Sequence, residues 1–347
     1  MPLLPNVHYR ARILMSDNIN PKKIDLEAAT LSWQNAGSRT GAAAGRLRKW
    51  GISTILPDGK IVIFGGVDAS SSDSTKVLEP EIYDAGINWN TGTYSNPESW
   101  QSQPVDPNGI ARNYHSTNLL LPDGSLFTAG SSHNAASGDP STTGEMRIVI
   151  FKPDYFDNPG RPELISSALS TSYGKQIQIN TPDAINIQRV ALIRNGSSTH
   201  AFNPDQRYVG LTFNAVNANT LSISIPADPS VLPPGYYMLW IINNAGLPCK
   251  LAKFIRVAFQ HNEIITDRST FSVLEVDASL TTGDLLFQRA FYVVFDGFIP
   301  SELGNFTTAP TVNFSFSSGG TGTVPAMSAE LADIEYEDPS IPVEIPQ

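Results

Sequence analysis

The stretch RKWGISTILPDGKIVIFGG, residues 48–66, recurs as RNYHSTNLLLPDGSLFTAG at residues 112–130. Each copy predicts two strands joined by a tight turn, because Asp-Gly supplies the positive φ angle that a hairpin turn requires. The glycines at the end of each copy permit close backbone packing. A second predicted hairpin follows each copy, with residues 80–83 after the first and residues 148–153 after the second. Four strands per repeat predict two β-propeller blades.

The rest of the chain also has the sequence pattern of short strands joined by turns. Apolar runs of four to eight residues alternate with turn clusters, and the 347 residues include 26 glycines and 26 prolines. This pattern is typical of an all-β protein, and helical periodicity is nearly absent. The length is sufficient for two or three domains with a buried core.

Charge and hydropathy limit the possible partners. The net charge is −10, and a nucleic-acid-binding surface needs a basic stripe that the sequence lacks. No run of about eighteen apolar residues predicts a transmembrane helix, and residues 1–20 lack the apolar core of a signal peptide. We therefore expect neither a nucleic-acid nor a membrane partner. The single cysteine, Cys249, excludes an internal disulfide framework.

A phenol and two imidazoles stand out as candidate metal ligands. Tyr114 and His115 are adjacent in the second repeat, and His200 follows Thr199. Imidazole and phenol together suit copper better than a closed structural zinc site. In a regular strand, Tyr114 and His115 would point to opposite faces, so they can share a metal only at a strand end or a bulge. The alternative is that His115 and His200 are separate structural residues.

These motifs resemble the galactose oxidase and glyoxal oxidase family of copper radical oxidases. The resemblance covers roughly residues 23–258, and the motifs occur in the family's order. They are Arg-x-Tyr-His-Ser with Leu-Leu-Pro-Asp-Gly at 112–124, Arg161-Pro162, Thr199-His200 with Asp205-Gln206-Arg207, LPPGYYML at 232–239 and NAGLP at 244–248. The resemblance implies a kelch-like propeller followed by an immunoglobulin-like sandwich, one loop of which delivers His200 to the metal.

The resemblance also implies individual roles. Tyr114 matches the family's axial tyrosine, which is also the base that takes the substrate's hydroxyl proton, and His115 and His200 match the two histidine ligands. Trp50 matches an aromatic wall against the substrate, although blade-to-blade packing would explain it equally well. The residues expected to brace the loop that carries His200 are Asp205, Gln206 and Arg207.

The chain departs from the family in one respect. The fourth ligand of the family is a second tyrosine crosslinked to a cysteine, and the segments that should hold this pair are absent. We therefore expect the C-terminal part of a copper radical oxidase-like protein, inactive by itself. The parent reaction is oxidation of a primary alcohol or aldehyde by dioxygen to give hydrogen peroxide. The alternative is a non-catalytic relative that binds carbohydrate or protein.

The expected fold is an all-β chain with three parts. Residues 1–158 form an incomplete propeller of about two complete blades, and residues 159–258 form the sandwich, with a core of its own. Residues 259–347 form a small β segment, with strands at 287–298 and 311–316 and an acidic tail. The implied partners are a small alcohol, aldehyde or carbohydrate and an N-terminal propeller half, and the implied location is extracellular.

Overall fold

The computed structural model describes residues 1–68, 75–105, 108–132 and 144–258, and four short strands in the remainder of the chain. The chain divides into two compact units, Met1–Ala258 and Phe259–Gln347. The described helical turns are Pro5–Val7, Gly41–Ala43 and Ala184–Asn186. Within the described ranges, no helix is long and apolar enough to cross a membrane.

Three antiparallel sheets follow one another in the first half of the larger unit. The N-terminal sheet contains β1 (Arg12–Met15), β2 (Lys22–Asp25) and β3 (Gln34–Asn35). The first repeat sheet contains β4 (Ile52–Ile55), β5 (Ile61–Phe64), β6 (Glu81–Asp84) and β9 (Ser99–Ser102), and the ribbon of β7 (Ile87–Asn88) and β8 (Thr93–Tyr94) precedes its last strand. The second repeat sheet contains β10 (Thr117–Leu120), β11 (Leu126–Ala129) and β12 (Val149–Phe151).

The two copies of the repeat form equivalent hairpins. The Leu56 amide donates to the Lys60 carbonyl at 2.8 Å, and the Leu121 amide donates to the Ser125 carbonyl at the same distance. Gly59 has a φ of 90°, and a Cβ atom there would lie 2.4 Å from the Trp89 ring, so glycine is required. The first sheet has the four predicted strands. The second has three among the described residues, one fewer than a complete blade.

Both faces of the first repeat sheet are covered. Side chains alternate along β5, so Ile61 and Ile63 face the N-terminal sheet and form a cluster with Leu4, Ala36, Tyr83 and Trp100. Val62 and Phe64 face the second repeat sheet. The rings of Phe64 and Phe151 meet edge to face, with centroids 4.9 Å apart. The repeat sheets are therefore packed face to face through apolar side chains.

The remainder of the larger unit, from residue 170, forms a sandwich of seven strands. Its strands are β13 (Ser170–Ser172), β14 (Gln176–Asn180), β15 (Ile187–Arg194), β16 (Tyr208–Asn217), β17 (Thr220–Ser224), β18 (Gly235–Asn243) and β19 (Lys253–Ala258), in the order β13-β19-β18-β15-β16-β17-β14. The long strand β16 pairs with β15 through its first half and with β17 through its second half. It therefore belongs to both sheets of the sandwich. The predicted all-β class and the immunoglobulin-like domain are confirmed.

The sandwich shares its core with the repeat sheets, which differs from the separate core that we expected. Val62, Leu120 and Leu126 belong to the same buried cluster as Leu192 and Trp240 of the sandwich. The physical reason is that both Pro-Asp-Gly turns abut the sandwich. An arginine from the sandwich donates to the aspartate carbonyl of each turn, with Arg189 to Asp58 at 2.7 Å and Arg161 to Asp123 at 2.7 Å.

Two strand pairs are described in the smaller unit. They are β20 (Ser272–Val273) with β21 (Val293–Val294) and β22 (Thr311–Ser315) with β23 (Thr321–Pro325). β21 and β22 lie within the segments that we predicted as strands, whereas β20 and β23 lie outside them. The predicted acidic tail, residues 330–347, lies outside the described residues.

Candidate metal site

The structure brings the three predicted ligands together. The Nε2 atoms of His115 and His200 lie 3.0 Å apart, although 85 residues separate them in the chain. Their rings are nearly perpendicular, at 89°, with centroids 4.7 Å apart. The Tyr114 ring centroid is 3.8 Å from that of His115 and 5.3 Å from that of His200. One metal ion could therefore contact both imidazoles.

Tyr114 and His115 project together because they occupy a turn just before β10. The Ser116 amide donates to the Asn113 carbonyl at 3.0 Å, which closes the turn around these two residues. His115 has a φ of 63°, a left-handed value that the third position of a type II turn requires and that glycine usually supplies. The alternation of a regular strand is broken here, at a strand end.

Trp50 occupies the equivalent turn of the first repeat. The Gly51 amide donates to the Arg48 carbonyl at 3.1 Å, and Trp50 has a φ of 66°. Trp50 lies two residues before β4, just as His115 lies two residues before β10. The Trp50 and Tyr114 rings meet edge to face with centroids 4.7 Å apart. The same backbone position therefore presents an aromatic ring in one repeat and an imidazole in the next.

A buried arginine fixes each of these turns. Arg48 donates from Nε to the Gly65 carbonyl at 2.8 Å. Arg112 donates to the carbonyls of Gly130 at 2.7 Å and Arg147 at 2.8 Å. Sequence reasoning missed this structural role, although an arginine at the start of both copies of the repeat was the available signal.

His200 reaches the other two residues on the loop between β15 and β16. Thr199 and Phe202 exchange backbone hydrogen bonds, both of 2.8 Å, across a two-residue turn. The central residues His200 and Ala201 have φ angles of 50° and 67°. Positive φ at both central positions defines a type I′ turn, for which Asn-Gly is the usual sequence.

Two side chains clamp this loop onto the repeat sheets. The Ser198 hydroxyl accepts from the Asn118 amide at 3.0 Å and donates to the Asn118 carbonyl at 3.2 Å. Gln206 accepts from the Ile55 amide at 2.7 Å and donates to the Ile55 carbonyl at 3.0 Å. The loop is thus anchored to β10 by Ser198 and to β4 by Gln206.

The three residues expected to brace the loop have different surroundings. Gln206 contacts β4 as described above. Arg207 donates to the carbonyls of Ser230 and Val231, at 2.5 and 3.1 Å, and so holds the loop to the sandwich. Asp205 is exposed. Ser198 was missed at the level of sequence, because its partner lies 80 residues away.

A hydroxyl group approaches the second nitrogen of each imidazole. Thr199 Oγ1 lies 2.6 Å from Nδ1 of His200, and Ser132 Oγ lies 3.3 Å from Nδ1 of His115. A ring that donates its Nδ1 proton to such an oxygen has a free lone pair on Nε2, which is the form that binds a metal. The sequence motif Thr199-His200 includes one of these residues, but we predicted no role for either hydroxyl group from the sequence.

The donor set fits copper. Imidazole nitrogens bind first-row metals at about 2.0–2.1 Å, so two of them at right angles around one ion lie about 2.9 Å apart. The observed separation is 3.0 Å. Among the described residues there is no cluster of three or more His, Cys, Asp or Glu side chains. The site instead combines two imidazoles with a phenol, a set that copper accepts.

Comparison with known proteins gives consistent matches. The family model "Galactose oxidase-like, Early set domain" matches residues 161–257. Galactose oxidase from Gibberella zeae is 38% identical over 218 residues, covering 60% of this chain and 29% of that protein. Aldehyde oxidase GLOX from Vitis pseudoreticulata is 28% identical over 226 residues, covering 60% of this chain and 41% of that protein.

A solved structure is also similar. A fungal alcohol oxidase of the AA5 family, in complex with copper, superposes with a TM-score of 0.56 at 28% identity. The match covers 69% of this chain and 48% of that one. The chain therefore spans less than half the length of each of these relatives.

Proposed function

We propose that Tyr114, His115 and His200 are three ligands of one copper ion. The premise is that the chain is homologous to the galactose oxidases and glyoxal oxidases. The observation that carries the proposal is the 3.0 Å separation of the two Nε2 atoms, with both ring Nδ1 atoms next to hydroxyl groups. The phenol of Tyr114 lies against both imidazoles and supplies the oxygen donor.

The proposed reaction of the complete protein is oxidation of a primary alcohol or an aldehyde by dioxygen. Copper, when bound, supplies one-electron redox chemistry and polarises the substrate oxygen. Tyr114 accepts the substrate's hydroxyl proton on its phenol oxygen. Trp50, whose ring meets that of Tyr114, forms part of the wall that orients the substrate. Galactose, other small carbohydrates and simple aldehydes are the substrate classes that the names of the relatives suggest.

We propose further that the chain has no oxidase turnover by itself. The family stores its second oxidising equivalent on a tyrosine crosslinked to a cysteine. Cys249, the one cysteine of this chain, is fully buried, and burial raises the pKa of its thiol to about 11. Its backbone carbonyl accepts from Arg161 at 2.6 Å, within the core of the sandwich. Cys249 is therefore a packing residue and provides no reactive thiolate.

A polypeptide that supplies the missing ligand is the partner that we propose. Its support is a row of exposed apolar side chains along β12 and the residues before it. Met146, Ile148 and Ile150 alternate along the backbone, with exposed fractions of 88%, 60% and 48%. Such a row, next to a strand edge, is typical of a protein contact surface. An extracellular location, as the resemblance implies, belongs to the same proposal.

Copper titration tests the site. We expect the purified chain to bind one Cu(II) per molecule, and His115→Asn and His200→Asn to abolish stoichiometric binding. Asparagine tolerates the left-handed backbone of both positions, so the turns survive while the imidazole is lost. His8→Asn is the matched control, because His8 also has a positive φ angle, of 53°, at the end of the helical turn Pro5–Val7.

Two results would contradict the proposal. The first is copper binding by His115→Asn or His200→Asn that equals that of His8→Asn. The second concerns turnover: hydrogen peroxide release from galactose, glyoxal or a primary alcohol by the copper-loaded chain would show that the crosslinked pair is unnecessary. We expect the copper-loaded chain to release none.

A further inference from the structure

The contact between the two imidazoles restricts their protonation when no metal is bound. A neutral imidazole has one N–H donor and one lone pair. Two Nε2 lone pairs that face each other at 3.0 Å would repel, so with both rings neutral one Nε2 carries a hydrogen and donates it to the other. His115 and His200 are therefore opposite tautomers in the metal-free chain.

The surroundings of the two Nδ1 atoms decide which ring is the donor. Ser132 is buried, and the ring nitrogen His115 Nδ1, 3.3 Å away, gives its hydroxyl hydrogen an acceptor. A hydrogen bond donated by Ser132 to Nδ1 requires the Nε2–H tautomer of His115. Thr199 is exposed, so water can accept its hydroxyl hydrogen while its oxygen accepts from Nδ1 of His200. The distance from Thr199 Oγ1 to Nδ1 of His200, 2.6 Å, is the shorter of the two hydroxyl-to-imidazole contacts.

We propose that Thr199 is a positioning residue, which holds His200 as the Nδ1–H tautomer with its Nε2 lone pair free, and that Ser132 holds His115 in the opposite tautomer until metal arrives. The inference rests on the proposed copper site. His200 is the ligand that is ready to bind. His115 must first release its Nε2 proton to water and take up a proton at Nδ1 from water, while the Ser132 hydroxyl rotates to accept it. The net charge of the ring is unchanged.

The tautomers can be read directly by nitrogen NMR of the metal-free full chain labelled with ¹⁵N-histidine, at a pH where both rings are neutral. We expect His200 to be Nδ1–H and His115 to be Nε2–H. Thr199→Val, which keeps the branched shape without the hydroxyl, should turn His200 into a mixture of tautomers, and Thr199→Ser should restore the single form. An Nε2–H form of His200 in the natural chain, or an unchanged spectrum in Thr199→Val, would overturn the inference.

Copper affinity gives the second readout. We expect Thr199→Val to weaken Cu(II) binding about 10–100-fold and Thr199→Ser to stay within about threefold of the natural chain, as for other partners of metal ligands. Equal affinities of Thr199→Val and the natural chain would refute the role of Thr199 while leaving the copper site intact. Absence of copper binding by the natural chain would refute the proposed function, and the NMR result would still judge the tautomers.

Discussion

Three residues around the candidate site have backbone conformations that glycine usually supplies. Trp50, His115 and His200 have φ angles between 50° and 66°. A side chain in such a conformation costs on the order of 1–3 kcal/mol, and the surrounding structure has to enforce it. The buried arginines and the loop clamp provide that enforcement here. The turn allows the side chains of Tyr114 and His115 to lie side by side, whereas in a regular strand they would point to opposite faces.

Ala201 shares this left-handed conformation but is not one of the proposed site residues. We expect Ala201→Gly to raise the free energy of unfolding by about 1 kcal/mol, because the left-handed penalty of a Cβ atom is removed. Chemical denaturation measures the change, and copper binding should be retained. The control is Ala44→Gly, where φ is −62° and glycine should destabilise through its greater freedom in the unfolded chain. Destabilisation by both variants would mean that the turn around His200 is not strained.

At the scale of elements, the loop between β15 and β16 carries His200, one of the proposed ligands, from the sandwich to the repeat sheets. Its placement depends on two side chains that bond to the backbone of β4 and β10 as a neighbouring strand would. Gln206 alone satisfies both the amide and the carbonyl of Ile55. Each neutral hydrogen bond of this kind contributes about 0.5–1.5 kcal/mol.

Removal of the Gln206 contact should loosen the loop. We expect Gln206→Ala to lower the free energy of unfolding by about 1–3 kcal/mol, since two bonds are lost. Copper affinity should fall as well, because His200 is held less firmly. Asp205→Asn, an exposed neighbour on the same loop, is the matched control for both measurements. If Gln206→Ala binds copper as tightly as Asp205→Asn does, the clamp has no part in placing His200.

At the scale of the whole molecule, the second repeat sheet leaves the row of Met146, Ile148 and Ile150 exposed. We expect the purified chain to self-associate through this row, because an apolar strand at a sheet edge pairs readily with another chain. Ile148→Lys should reduce the association seen by light scattering. Gln176→Lys, on the exposed edge strand β14, adds the same charge elsewhere and should not. Monodisperse monomers of the unmodified chain at high concentration would contradict this expectation.

The sequence was sufficient for the four strands of the first repeat, three of the four predicted strands of the second, the sandwich and the meeting of Tyr114, His115 and His200. These depend on local turn chemistry and on motifs that each occupy a few consecutive residues. The contacts of Ser132 and Ser198 depend instead on how separate segments meet in space, and a serine in a loop carries no local signal of its partner. Thr199 contacts its own neighbour His200, but the sequence does not show which way its hydroxyl group points. The shared core was mispredicted for the same reason, since it follows from the contacts of Arg161 and Arg189 with the two turns.

That shared core has a consequence for the capture of copper. His115 belongs to a repeat sheet and His200 to a loop of the sandwich, yet the two parts pack through one buried cluster rather than meeting at a flexible linker. If His115 and His200 bind one copper ion as proposed, then after the first imidazole binds, the effective concentration of the second is set by packing and not by diffusion of a tether. The loss of entropy on bringing the two imidazoles together occurs when the chain folds and not when copper binds. The pair should therefore act as a preformed chelate, whose affinity for copper rises and falls with the stability of the whole unit, Met1–Ala258.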